Sequence, residues 1–391
     1  MTTRRIFDKR TLWFAIGSLL GITALLTACG TVSTATPCPE VECPECSQVT
    51  YLEQTPYEDI WAASAHADEK SKAFTHWDEE DPPEIPIECA KCHSRPGFLD
   101  FLGVDGTSVG TVVNAVPVGT TITCFACHNE VLIIMDSVVY PSGARIAGLG
   151  AEARCMPCHQ GMASGATVDD AIAEAGITDA DTPGEELEFV NSHNVSGATP
   201  FGAQVQAAYE YDGKTYRGRF TRGGDFLSCI QCHDNHSLEL EFETCQECHT
   251  SAKEEAKEIR VDSTDYDGDG DIEEGIIGEI ETIHEALYTA IQVYASGVAG
   301  TPIAHDSNTY PYFFIDTDGN GEAGPGEAIY PNKYNAWTPR LLRAAYNYQF
   351  ALNDPGAFAH NSDYVIQALY DSLSDVGGNT SGMMRPGDTN E

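Results

Sequence analysis

One frame, Cys-x-x-Cys-His, occurs five times in this chain of 391 residues and constrains it more than any hydrophobic period does. CAKCH ends at His93, CFACH at His128, CMPCH at His159, CIQCH at His233 and CQECH at His249. Ten of the 14 cysteines fall in these frames. Disulfides or structural zinc sites give no reason for a histidine directly after every second cysteine, whereas C-x-x-C-H is the attachment signature of c-type haem. Two sulfurs one helical turn apart reach the two vinyl groups of one porphyrin, and the adjacent imidazole meets the iron from one face. The reading is five haem c groups. Their thioethers come from Cys89, Cys92, Cys124, Cys127, Cys155, Cys158, Cys229, Cys232, Cys245 and Cys248, and their proximal ligands are His93, His128, His159, His233 and His249.

The N-terminus places this chemistry outside the cytoplasm. Residues 1–28 carry Arg4, Arg5, Lys9 and Arg10, followed by the apolar run TLWFAIGSLLGITALLTA, which has the grammar of a signal peptide. Its end, Leu26-Thr27-Ala28-Cys29, reads as a lipoprotein box with Cys29 lipidated; an uncleaved membrane anchor is the alternative. Thr3-Arg4-Arg5-Ile6-Phe7 resembles a twin-arginine motif, which is discounted because haem is attached to an unfolded exported chain. The expected location is extracytoplasmic, lipid-anchored to a membrane and facing the periplasm or the cell exterior.

Composition narrows the partners. Residues 1–28 contribute a net +3, so their removal takes the formal charge from −39 to −42. Nucleic acid is excluded as a ligand on that charge, and the expected partners are redox proteins with a basic docking patch, or other cytochromes. Beyond residue 28 no apolar run is long enough to span a bilayer.

The fold class expected is mostly α with little regular structure around stacked haems. A small β hairpin or sheet is expected in the N-terminal half, from GTVVNAVPVGTTITC and VLIIMDSVVYPSG, and the C-terminal third should be helical. Ile280, Ile283, Leu287, Ile291 and Tyr294 recur at helical spacing, Thr338-Pro339 has the form of an N-cap with proline at the first position, and Asn361 opens a last helix. The domain reading is a Pro/Cys-rich tether over 29–55, a pentahaem body over 56–376 and a disordered tail over 377–391. Cys38, Cys43 and Cys46 in the tether are spaced like three ligands of a plant-type iron-sulfur cluster, but no free fourth cysteine exists, so a disulfide with one spare thiol, or an intermolecular bridge, is the better reading.

Seven histidines remain for five sixth-ligand positions. At this point the sequence resembles the multihaem c-type cytochromes of bacterial respiration with doubled CxxCH motifs. Trp61-Ala62-Ala63-Ser64-Ala65-His66-Ala67 is similar to a W-x-x-S-x-H-A segment of that group. Cys232-His233-Asp234-Asn235-His236 resembles its CHxxH doublet, and Asp354-Pro355-Gly356-Ala357-Phe358-Ala359-His360-Asn361 its C-terminal turn. The resemblance implies distal iron ligation by His66, His236 and His360. His76 and His193 complete the distal set by position and aromatic context. His284, on the apolar side of its helix, is the main rival, and His305 reads as structural; these two are the distal alternates. Met135, Met156 and Met162 are weaker candidates whose ordinary role is packing.

His236 should serve a haem other than the one on Cys229 and Cys232. His233 takes one face of that ring, and three residues advance only about 4.5 Å in a helix or roughly 10 Å extended, too little to pass around the rim. Bis-histidine ligation saturates an iron and favours electron transfer, with no catalytic residue. The alternatives are a nitrite- or hydroxylamine-type reductase with one open haem, although no CxxCK frame is present, and a subunit of a conductive extracellular filament. Two acidic loops add a calcium expectation. One has Asp316, Asp318, Asn320 and Glu322, with Glu327 at its twelfth place; the other has Asp265, Asp267, Asp269 and Asp271, with Ile276 at its twelfth. The five frames make a direct prediction: the intact mass of the purified protein should contain five covalent haems, and a mass fitting four or fewer would contradict the count.

Overall fold

The computed structural model describes residues 55–222, 228–252 and 254–387. The signal segment, Cys29 and Cys38, Cys43 and Cys46 lie outside the described residues. Residues from Thr55 onward form one compact unit.

Its N-terminal half has little regular structure. Strand β1 (Glu84–Ile85) pairs antiparallel with β2 (Val116–Pro117), and β3 (Ser137–Val139) pairs with β4 (Arg145–Ala147) in the expected hairpin. The apolar run just before that hairpin is a short helix over Glu130–Ile134, so the β reading of VLII is corrected. Asn129 explains it: its side chain accepts from the N–H groups of Val131 and Leu132 and caps the turn. Helix α1 (Ile87–His93) ends on the first haem frame, and α2 (Arg95–Leu102) starts at once. Ser94 joins them, donating to the Ala90 carbonyl and accepting from the Gly97 N–H. A Cβ at Gly97 would lie 2.3 Å from the Ala90 oxygen, so only glycine allows this close approach.

The C-terminal third carries the main core. Helices α3 (Ile276–Tyr294), α4 (Pro339–Leu352) and α5 (Ala357–Asp375) pack together, with a third ribbon, β5 (Ile303–His305) and β6 (Phe313–Ile315), beside them. Ile283, Leu287 and Ile291 are fully buried, as are Trp337, Tyr346, Phe350 and Tyr364. Thr338 caps α4 as expected, accepting from the Leu341 N–H at 3.1 Å. Buried Asn347 accepts from the Tyr209 N–H at 2.7 Å and donates to the Tyr209 carbonyl and the Ser372 hydroxyl. Tyr364 accepts from the Ala208 N–H, and Tyr346 donates to the Ala207 carbonyl. Side chains thus satisfy a buried loop backbone that no sheet partner serves.

Helix α5 begins at Ala357, earlier than expected, and breaks at Asn361, whose backbone is extended there. Asn361 then caps the longer piece through Tyr364 and fixes it by donating to the carbonyls of Thr199 and Gly218. The tail expectation is corrected for residues 377–387. Arg385 forks onto Asp371 at 2.9–3.0 Å with both side chains buried, Gln367 donates to the Pro386 carbonyl, and the Met384 N–H donates to Tyr266. A polar composition concealed a buried ion pair.

Candidate functional site

All five frames sit on single helical turns. In four of them the histidine N–H donates to the carbonyl of the first cysteine, at 2.9 Å for His128, 3.1 Å for His159, 2.9 Å for His233 and 2.9 Å for His249. One turn brings the two thiols to the same side and sets the imidazole beside them.

Three pairs of imidazoles then face each other across long sequence gaps. His66 opposes His159 with ring centroids 6.0 Å apart, His193 opposes His93 at 5.7 Å, and His236 opposes His128 at 6.2 Å. Imidazole nitrogen binds a metal at roughly 2.0 Å, so two imidazoles on opposite faces of one iron bring their ring centres about 6 Å apart. The donor set and spacing therefore fit haem iron. His360 stands beside the fourth frame, close enough for its charge to act on both His233 and Cys229.

Ring orientation follows from what holds the other nitrogen. Nδ1 of His93 donates to the Ala73 carbonyl at 2.7 Å, Nδ1 of His233 to the Leu238 carbonyl at 3.2 Å, and Nδ1 of His159 reaches the Asn194 side-chain oxygen at 3.4 Å. Both carboxylate oxygens of Asp354 lie 2.8 Å from Nδ1 of His360. A Cβ on Gly356 would sit 2.6 Å from the His360 ring, so Asp354, Gly356 and Asn361 each have a separate task in the C-terminal turn. Burial, with the neighbouring His159 as a smaller cause, pushes His66 down to about 4. Burial likewise lowers His93, His159 and His193, which keeps them neutral, the form that binds metal. Burial acts the same way on His360, but the charge and hydrogen bond of Asp354 outweigh it and raise that group.

The backbone sets the distal side. His193 has φ +56, held by the Asn191 side chain accepting from its N–H. The His66 carbonyl accepts from the Ile122 N–H, while Trp61 donates to the Ile122 carbonyl, so the WxxSxHA stretch is pinned two residues before Cys124. Tyr57 stacks on His236 at 4.4 Å and 6°. Sequence reasoning missed Tyr57 and Asn194, although an aromatic residue just before WxxSxHA was a usable signal for the first.

The frames also meet one another. The Cys92 thiol donates to the Cys158 carbonyl and the Cys158 thiol to the Lys91 carbonyl, and the side chains of Cys155 and Cys229 lie close enough to shift each other's titration. Cys127 lies within electrostatic reach of Cys155 and Cys158, and Cys232 of Cys245. The five frames therefore run first, third, fourth, fifth, with the second beside the third.

Other candidates fall elsewhere. Nε2 of His284 donates to the Tyr348 carbonyl at 3.0 Å while its ring stacks on Tyr348 at 4.0 Å, and Nε2 of His305 lies 2.8 Å from the Gln349 side-chain oxygen. Both alternates are core histidines whose outer nitrogen is already engaged. Met156 is buried and its sulfur accepts from Tyr140, while Met162 is half exposed. His76 is exposed and edge-on to Trp77, on the His93 side, and among the described residues no ring contact joins it to His249. In the acidic loops, the ligand oxygens of Asp316, Asp318 and Glu327 lie within 4.8 Å of one another, as do those of Asp267, Asp269 and Glu274.

Comparison with known proteins agrees with this chemistry. The chain is 27% identical over 335 residues to the C-type polyheme cytochrome OmcB of Geobacter sulfurreducens (strain DL-1 / KN400), covering 73% of this chain and 37% of that protein. It is 25% identical over 370 residues to the C-type polyheme cytochrome OmcC of Geobacter sulfurreducens (strain ATCC 51573 / DSM 12127 / PCA), covering 81% and 46%. The similarity supports a multihaem c-type cytochrome family. The chain spans less than half the length of these curated relatives. No family model and no solved structure matches it. Among the described residues no helix is long and apolar enough to cross a membrane.

The engaged nitrogen of His284 makes its role testable. His284→Ala should remove the hydrogen bond to the Tyr348 carbonyl and the ring stack on Tyr348, and cost about 1–3 kcal/mol of stability in chemical unfolding. The visible haem spectrum should not change; loss of a low-spin haem would make His284 a ligand.

Proposed function

We propose that this chain is an extracytoplasmic electron carrier with five covalent c-type haems, all ligated by two histidines. The observation that carries the reading is the set of imidazole pairs opposed at 5.7–6.2 Å, each joining a frame to a distant segment. The haems supply one-electron chemistry when bound.

The chain's residues account for the rest. In this reading His66, His193, His236 and His360 occupy the second faces of the third, first, second and fourth haems, which removes the coordination position a substrate would need. Bis-histidine ligation also favours lower potentials than His/Met ligation, and Asp354, by drawing on the Nδ1 proton of His360, makes that imidazole a stronger donor. His76 is the unassigned member of the expected distal set for the iron on His249. A reductase with one open haem is the second reading, and it would be located at His249: among the described residues neither His233 nor His249 has an opposed imidazole ring, but His233 has His360 beside its frame. Contact between successive attachment sites supports a continuous row for electron passage.

Relatives that are polyhaem cytochromes support other cytochromes or redox proteins as partners, and a formal charge of −39 favours a basic docking face on them. The LTAC box supports lipidation at Cys29, which would tie each copy to a membrane and counts against a filament subunit. Calcium at Asp316, Asp318 and Glu327 fits as a clamp beside α3, since Tyr288 and Gln292 both donate to the Gly321 carbonyl of that loop.

Replacing His236 tests the reading. In His236→Ala all five haems should remain attached while one turns high-spin, and the affected haem should be that of the His128 frame. An unchanged low-spin spectrum would remove His236 from the ligand set.

A further inference from the structure

The acidic loop ahead of α3 differs from an ordinary surface turn because it buries carboxylate oxygens that have no partner. Asp267 is only 5% exposed. Its Oδ1 accepts from the Asp269 N–H at 3.0 Å, but no hydrogen bond reaches its buried Oδ2; the Thr282 hydroxyl lies near enough to ease the carboxylate charge without bonding that atom. Oε1 of Glu274 is also buried and unpartnered. These two side chains and Asp269 offer ligand oxygens within 4.8 Å of one another. Leaving such groups unpaired costs several kcal/mol in general, and mutual repulsion adds to it. Oxygen ligands of calcium lie about 2.3–2.6 Å from the ion, so oxygens up to roughly 5 Å apart can share one.

Ligand oxygens of Asp265, Asp267 and Glu279 also lie within 4.8 Å of one another, but those of Asp265 and Glu279 are engaged by backbone N–H groups and Arg260. Asp265 accepts from the N–H groups of Gly268 and Gly270, Asp269 from Asp271, and Asp271 from Glu273. Fully buried Glu279 accepts at 2.8 Å from both Tyr266 and Asp267 and pairs with Arg260, which braces the loop from below. Glu274 folds back over the start of α3, where a Cβ on Gly278 would collide with its carboxylate. Burial first, then neighbouring carboxylates, pushes Asp267 up to about 6 and Glu274 up to about 7.

We propose that Asp267, Asp269 and Glu274 hold a calcium ion, with Glu274 supplying the closing carboxylate that Ile276 cannot supply at the twelfth position of the loop. Oxygen-only, multiply charged ligation selects a hard divalent cation over softer metals. The ion also fastens the chain's end. Gly268 packs directly on the backbone of Gly382 and Met383, where a Cβ would come within 2.6 Å, and the Tyr266 carbonyl accepts the Met384 N–H at 2.9 Å. Charge neutralised at Asp267 therefore holds the surface that receives residues 382–384.

Calcium titration of the chelator-treated holoprotein by isothermal calorimetry tests this independently of the haem reading and of the 316–327 loop. Glu274→Gln should lose one bound equivalent relative to wild type and make the C-terminal tail more sensitive to protease, whereas Ile276→Ala should bind as wild type does. Glu327→Gln reports the other loop separately. An unchanged visible spectrum confirms that each variant is folded. Unchanged stoichiometry in Glu274→Gln, or no binding by wild type at millimolar calcium, would overturn the proposal.

Discussion

Opposed imidazoles are the constraint on which the N-terminal half depends. Apart from the main core, which draws mostly on the C-terminal third, its apolar contacts form two small clusters, one around Phe74, Phe98 and Leu132, the other around Ile85, Ala90, Val112 and Val116. Neither is large enough to order a hundred residues of mostly irregular backbone. The facing pairs supply what these clusters lack, because each joins segments far apart in the chain: His66 with His159, His93 with His193, His128 with His236. In the proposed reading, binding that requires both partners contributes to folding free energy, so the cofactor and the fold are one problem in this half.

The C-terminal third is an ordinary protein core by contrast. Helices α3, α4 and α5 bury aromatic and branched side chains with almost no exposure, and polar Asn347 and Tyr364 are each fully partnered. This block reaches the haem half through His360. Its ring is set by Asp354 and Gly356 at the start of α5, and Asn361 fixes the helix to the segments around Thr199 and Gly218. A rigid scaffold therefore holds one imidazole next to a frame whose own surroundings are irregular.

Much of this was legible in the residues, for identifiable reasons. The Cys-x-x-Cys-His frame is local chemistry, so the candidate attachment sites and proximal histidines rest on spacing alone, and the cap at Thr338 and the period of Ile283, Leu287 and Ile291 are local too. Through-space partners were not legible. His284 was correctly placed on the apolar side of its helix, but periodicity cannot say whether that side meets a macrocycle or Tyr348. The tail from Gly377 read as disordered because its composition is polar, and the carboxylate that pairs with Arg385 is Asp371, on α5. Loop spacing likewise assigned closure to the twelfth residue and passed over Glu274, which reaches the buried oxygens only because the chain turns back onto α3.

The central claim is that the facing histidines are axial pairs, and spin counting of the native protein by electron paramagnetic resonance, carried through a redox titration, tests it most directly. The account predicts that all five irons are low-spin with bis-histidine signals and that no substrate shifts them. A high-spin iron at stoichiometric level in the native protein would contradict it.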